Sequence, residues 1–307
     1  MKTYTLYLAL CTTLLITACD GNDASFTTHN LITLNITDAP VDEADAVIVE
    51  FSGVTLKAAN GNDRSFDFDP PKSINLLALQ GTQSQPLLEN VEIPAGQYTQ
   101  IRLAVNAEFD SVMDSYITVN SVDYELRVPS GSQSGLKLNT PFTVATGTAG
   151  MSVANNNAIY TIDFDLRKSI VKPNGQPGYF LKPVLRLIQN VNTGSISGTI
   201  NDALLVGANC SDADPLSGNA IYVFNNADTL PDDVDEMDAE PLTTALVNFN
   251  SETGIYSYEV GFLPEGSYTL TFTCAADLDN ELDNANVVFD AVENVTVTAG
   301  NNTELSL

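Results

Sequence analysis

Carboxylates are the reactive groups this chain holds in quantity. Asp and Glu number 39 against 12 Lys and Arg, with one histidine, for a formal charge of −27. Two acidic strings stand out. One contains Asp228, Asp232, Asp233, Asp235, Glu236, Asp238 and Glu240 around Pro231, and the other Asp277, Asp279, Glu281 and Asp283. Calcium takes six to eight oxygen ligands, and alternate acids in a loop can supply several of them. Asp232, Asp233 and Asp235 with Asp277, Asp279, Glu281 and Asp283 are therefore candidate calcium ligands. Neither string has the glycine and terminal glutamate spacing of an EF-hand, and a solvated acidic loop is the competing reading. Asp163 and Asp165 form a second kind of candidate. Two acids about 5 to 9.5 Å apart can hydrolyse a glycosidic bond, but on alternate strand positions they read first as a solvated face.

Other chemistry lacks its parts. His29, the only histidine, falls in a polar N-terminal stretch. A Ser-His-Asp or Cys-His arrangement therefore lacks its base, and histidine-rich zinc sites lack their ligands. No glycine-rich phosphate loop opens a helix. The chain has no tryptophan, which removes the commonest sugar-stacking platform. The expectation is a chain without catalytic residues and without a required cofactor.

The acids need elements to hold them, and these read as β throughout. Val47, Val49 and Phe51 recur at period 2. So do Val122, Tyr124, Leu126 and Val128, and again Ile162, Phe164 and Leu166 opposite Asp163, Asp165 and Arg167. That is the signature of half-buried strands. Pro and Gly punctuate the strands at Asn60-Gly61, Pro70-Pro71, Pro94-Ala95-Gly96, Pro173-Asn174-Gly175 and Pro264-Glu265-Gly266. Ile74–Leu79 could form a short helix. Pro94-x-Gly96-x-Tyr98-Thr99 recurs as Pro264-x-Gly266-x-Tyr268-Thr269, but the apolar residues that follow lie on opposite parity. This predicts one turn solution used in two domains.

Charge divides the chain. Every Lys and Arg lies at or before Arg186, while residues 187–307 carry 20 Asp and Glu. The break places a domain boundary near residue 190. Phosphate backbones need Lys and Arg, so nucleic acid is excluded as a partner, and so is direct docking on anionic lipid headgroups.

At the N-terminus, Met1-Lys2 precedes a short apolar run that closes on Leu15-Ile16-Thr17-Ala18-Cys19. The run is too short for the ~20 residues a membrane span needs and has the form of a targeting segment. It resembles a bacterial lipoprotein signal peptide with its lipobox. The resemblance implies cleavage before Cys19, lipid on Cys19 and stable membrane anchoring by several acyl chains. Asp20 resembles an inner-membrane retention signal of enteric bacteria, which leaves open the outer membrane or the periplasmic face of the inner one. Residues 20–30 are polar and small and read as a flexible tether. In an oxidising compartment, Cys210 and Cys274 are expected to form a disulfide.

Two further resemblances cover the rest. Ile36-Thr37-Asp38-Ala39-Pro40, Val54-Thr55-Leu56-Lys57, Ile74-Asn75-Leu76-Leu77, Ile93–Arg102, Ile162–Asp165 and Leu181–Leu185, in this order, resemble the domain of unknown function 4382 found in bacterial lipoproteins. This covers residues 31–190 and implies a β-sandwich with no established activity or site residues. Gly194-Ser195-Ile196-Ser197-Gly198-Thr199-Ile200, with the later Pro264–Thr269, resembles the carboxypeptidase-regulatory or prealbumin-like sandwiches over residues 194–307. Such modules are usually accessory and non-catalytic.

The expected protein is all-β. A signal peptide (1–18) and a lipidated cysteine with tether (19–30) precede two Ig-like or prealbumin-like β-sandwich domains (31–190 and 194–307). The expected role is a non-catalytic, lipid-anchored cell-envelope module that binds an envelope protein or glycan, or displays itself. A carboxylate-dependent polysaccharide hydrolase and a structural spacer without ligand are the alternatives.

Overall fold

A computed structural model describes residues 29–41, 44–129, 134–145, 157–173, 175, 177–207, 210, 218–235, 237, 239–279 and 287–307. The signal segment, Cys19, Glu281 and Asp283 lie outside these.

The first sandwich stacks a four-stranded sheet on a nine-stranded one. The smaller sheet runs in the order Leu185–Gln189, Asn157–Asp165, His29–Ala39, Gln85–Pro94, with its two central strands parallel. Ala46–Ala58 and Gly96–Asn106 lie side by side at the centre of the larger sheet. Alternation decides what each face meets. Ile32, Leu34 and Ile36 from the small sheet and Val47, Val49 and Phe51 from the large one share a single core. Phe51 meets Phe164 edge-on across the layers, with ring centroids 6.3 Å apart, a geometry that contributes about 1 kcal/mol beyond area burial.

The second sandwich pairs two four-stranded sheets. One runs Asn248–Asn250, Ile255–Pro264, Thr193–Ile200, Asn302–Glu304, and the other Thr243–Leu246, Ala220–Asn225, Gly266–Thr273, Asp290–Val297. Ile196, Tyr258 and Val260 from one sheet pack on Ile221, Val223, Leu270 and Phe272 from the other. Cys210 and Cys274 are joined by a disulfide. The glycines of the Gly194–Ile200 stretch have a steric reason. A Cβ at Gly198 would lie 1.7 Å from the Leu305 carbonyl oxygen, and one at Gly194 would lie 2.5 Å from that of Thr298. Only glycine lets the C-terminal segment run this close along the strand.

Three expectations need correcting. The acidic face of the strand Asn157–Asp165 is not solvated. Tyr160 through Phe164 are buried on both faces, because the second sandwich covers the side that carries Asp163. The strand also stops at Asp165. The Asp165 carboxylate accepts the Lys168 amide and caps one helical turn, Leu166–Ser169, so Leu166 and Arg167 are helical. Third, Val122 and Tyr124 are exposed although their alternation predicts burial. They sit in a hairpin tip outside the core cluster, and only Leu126 and Val128 reach that core. The Ile74–Leu79 segment contains a single 3₁₀ turn, Leu76–Ala78.

The repeated turn is one device. Tyr98 donates its hydroxyl to the Pro94 carbonyl at 2.9 Å, and Tyr268 donates to Pro264 at 2.6 Å. The parity difference comes from a bulge in the first copy. Lys57 pairs with Gln100 while Ala58 pairs with Tyr98, so one extra residue flips the following Ile101, Leu103 and Val105 onto the core face.

Candidate functional site

The acidic strings meet in space. Pro231 leads into Asp232, Asp233 and Asp235, and one carboxylate oxygen from each lies within 4.8 Å of the other two. The second string reaches the same place through Asp279, which follows the 3₁₀ turn Ala276–Leu278. Asp279 accepts the Val234 amide at 3.0 Å on one oxygen and the Tyr222 hydroxyl at 2.5 Å on the other. Asp233 is 4 % exposed, and its Oδ2 has no hydrogen-bond partner. Burial raises the pKa of Asp232, Asp233 and Asp279; neighbouring carboxylates push the first two further up, whereas at Asp279 the bonds from Tyr222 and Val234 and the Arg167 charge pull against it. Such a group of oxygens suits one hard cation and offers it no nitrogen ligand.

Asp277 does not join this group, because its side chain lies against Gly218. Asp228 is held by Asn294, and Glu240 pairs with Lys168 at 3.3 Å.

Asp163 and Asp165 lie instead at the contact between the sandwiches. Asp163 is 5 % exposed and forms an ion pair with Arg186. Asp165, its pKa raised mainly by burial, pairs with Lys168 at 3.6 Å. Together with Lys168, Arg186, Asn225 and Glu240 they line a cavity of about 350 Å³. Each acid of the pair faces a base of its own sandwich, and Lys168 alone of these carries the link across, to Glu240 and the Pro241 carbonyl.

The residues that hold this contact belong to none of the sequence motifs. Arg167, 3 % exposed, reaches from the first sandwich into the second. It donates to the Ala276 carbonyl at 2.5 Å and lies over the Tyr222 ring, 5.4 Å from its centroid. Lys168 donates to the Pro241 carbonyl at 2.5 Å. The backbones close in at Gly261, where a Cβ would lie 2.2 Å from the Gly81 carbonyl oxygen. Asp38 is also here, buried beside Asp163 and Asp165. One sequence signal could have found it: Asp38 continues the inward parity of Ile32, Leu34 and Ile36.

The family described as Domain of unknown function (DUF4382) matches residues 30–183. No curated protein matches the chain. Among solved structures, the chain is similar to the TIE protein of Bacillus anthracis, at 13 % identity over 91 % of this chain and 34 % of that one, TM-score 0.21. It is also similar to a leucine-rich repeat protein of Bacteroides thetaiotaomicron, at 12 % identity over 91 % and 26 %, TM-score 0.21. A third is the CBMbc protein (family CBM26) of Eubacterium rectale, solved with maltoheptaose, at 12 % identity over 90 % of each chain, TM-score 0.20. The chain spans about a third and a quarter of the length of the first two. Among the described residues no helix is long and apolar enough to cross a membrane.

Proposed function

From a chain that belongs, through residues 30–183, to the family of domain of unknown function 4382, we infer a non-catalytic, lipid-anchored module that binds or displays a partner at a bacterial cell envelope. The observation that carries this reading is the fastened contact between the sandwiches. Arg167 is buried in the second sandwich, and the Gly261 and Gly81 backbones meet with no room for a side chain. The chain enters the first sandwich at His29, and Asp38 reaches the contact nine residues later on the same strand. At 3.3 Å per residue that is about 30 Å. A tether on Cys19 thus attaches about a strand's length away from the place where the second sandwich is gripped. This suits a part held out from a surface.

The acid pair supports the same reading, since Asp163 and Asp165 each neutralise a base. The test is twofold. Cys19→Ala should release the protein from the membrane fraction, and unchanged association would sink the anchor. Purified protein should leave envelope and environmental polysaccharides intact. Glycan turnover abolished by Asp163→Asn would replace this reading with the hydrolase.

Calcium at Asp232, Asp233 and Asp235, beside Asp279, is the second part of the proposal. It is supported by the unpartnered, buried oxygen of Asp233. A ligand bound only by the folded state raises its stability, so calcium added to chelator-treated protein should raise the Tm by several degrees. Asp233→Asn with Asp235→Asn should diminish that rise. An undiminished rise in the double variant would return this loop to being a solvated one.

A further inference from the structure

In a chain dominated by acids, the outer face of the larger sheet of the first sandwich is basic. Alternation sends Leu56, Ile101, Leu103, Leu136 and Leu138 into the core, so Thr55, Lys57, Gln100, Arg102 and Lys137 point the other way. Strand register then sets them in rows. Ser65, Thr55, Arg102 and Lys137 are successive cross-strand partners on four adjacent strands, a row about 14 Å long at about 4.8 Å per strand. Lys57 and Gln100 are partners in the next row, and Gln100 donates its amide to Asn139 Oδ1.

Arg102 and Lys137 stand directly opposite each other. Like charges so placed destabilise a sheet, and no acid is paired with either. Among the described residues, the exposed Lys137 makes no hydrogen bond or ion pair. Arg102 gives only its Nε–H, to Gln100, and its terminal nitrogens are unused. The nearest acids are accounted for. Asp63 is engaged by Lys57, and Asp67 lies one row away, opposite Gly53. Asp63 also shows what this face favours. Its carboxyl is held below the usual range, first by the Lys57 hydrogen bond, then by the Ala58 amide and the charges of Lys57 and Arg102.

We propose that this face binds an anionic glycan, a polysaccharide with carboxylates along its length. A guanidinium fork takes a carboxylate bidentately, and the hydroxyls of Thr55 and Ser65, which share a hydrogen bond at 3.0 Å, suit sugar hydroxyls. These two rows hold no apolar side chain, so they lack the anchor in which protein partners concentrate their binding energy. The acids of the second sandwich lie elsewhere. That sandwich meets the first at Gly81. Asn75, just ahead of Gly81, pairs with Ile48, whereas the row crosses the same strand at Thr55, about 20 Å further on. Salt confines charge effects to about 8 Å. The rows sit instead toward the entry of the chain, where His29 pairs with Pro94, a few residues before Gln100. The proposal rests on the binding reading above and names its ligand class.

The test is binding of the full chain to polygalacturonate, a uronic acid polymer, with dextran as the neutral polymer and polyglutamate as the acidic polypeptide. Polygalacturonate should bind at low salt and be released at high salt, and dextran should not bind. Arg102→Gln and Lys137→Gln should each weaken binding severalfold, and together by about tenfold or more. Lys172→Gln removes the same charge at the far end of the same sheet and should leave binding unchanged. Lys137→Gln removes a like-charge neighbour and should keep or raise the Tm, so its lost binding is not lost folding. No binding of polygalacturonate, or an equal loss in Lys172→Gln, would overturn the proposal. Polyglutamate bound as tightly would overturn it in favour of an acidic protein partner. The assay is made in solution and does not involve Cys19, so its failure leaves the anchor to the Cys19→Ala test.

Discussion

The two sandwiches are built on the same tyrosine turn but are held together by different means. The first has a single large core, drawn from both of its sheets. It also carries every Lys and Arg of the chain except Lys2, so it can pair its own acids. The second splits its buried residues between two clusters and has no Lys or Arg at all after residue 186. It relies on a disulfide, on glycines that admit close backbones, and on bases lent by its neighbour through Arg167 and Lys168. A sandwich without its own cations can place acids only where solvent, a borrowed base or a bound cation meets them. That is why the candidate cation site lies among its residues.

The sharpest way to break this comparison is to remove the staple. Cys274→Ser opens a loop of 64 residues, and chain entropy assigns such a cross-link about 4 kcal/mol. The loss should fall on the second sandwich, so thermal unfolding should resolve into two steps, the lower one new. A single transition shifted as a whole would mean that the contact between the sandwiches couples them more tightly than the disulfide holds either.

Arg167→Met comes next. It leaves the Ala276 carbonyl and the Tyr222 face without their cation and keeps most of the apolar stem. Removing one member of a buried charged arrangement costs about 3 kcal/mol. Limited proteolysis near residues 190–192 should then become faster, because that turn joins the two sandwiches. Unchanged proteolysis would show that the backbone contact alone fastens them. Gly261→Ala tests that contact directly. Its Cβ would lie 2.2 Å from the Gly81 carbonyl oxygen, where no flexible side chain can yield, and overpacking of this kind costs about 2 kcal/mol. The expected result is a lower Tm with each sandwich still folded by circular dichroism.

Local signals carried the strands, the turn residues and the two acidic strings into view, because period 2 and Pro-Gly punctuation are properties of neighbouring residues. The contact between sandwiches was not legible, because it depends on pairs separated by about a hundred residues, such as Arg167 with Ala276. Asp163 looked solvated for that reason, since only the second sandwich covers it. The Cys210–Cys274 pair was legible from the compartment that the N-terminus implies. Convergence of Asp279 with Asp232–Asp235 was half legible, as two separate strings whose meeting needs the fold. The single-turn helix at Leu166 was hidden because Asp165 caps it with a side chain that alternation assigns to a strand face.

The smallest effect sharpens the comparison most, because it asks whether a shared device does the same work in both places. Tyr98→Phe and Tyr268→Phe each remove one hydroxyl that binds a proline carbonyl. The ring remains, so the stacking of Tyr98 on Phe142, with centroids 5.2 Å apart, is kept. Neither proline is fully buried, so water can reach the carbonyls left behind. The loss should then be the net value of a hydrogen bond, about 1 kcal/mol each, read as equal shifts in urea midpoint. A clearly larger loss for Tyr98→Phe would point to the bulge between Tyr98 and Gln100, which the strand after Tyr268 lacks. The hydroxyl would then hold the extra residue in place, and without it Ile101, Leu103 and Val105 would drift off the core face. Equal losses would mean that the bulge is held by the apolar pattern alone, and that the two turns are interchangeable parts set into differently stabilised sandwiches.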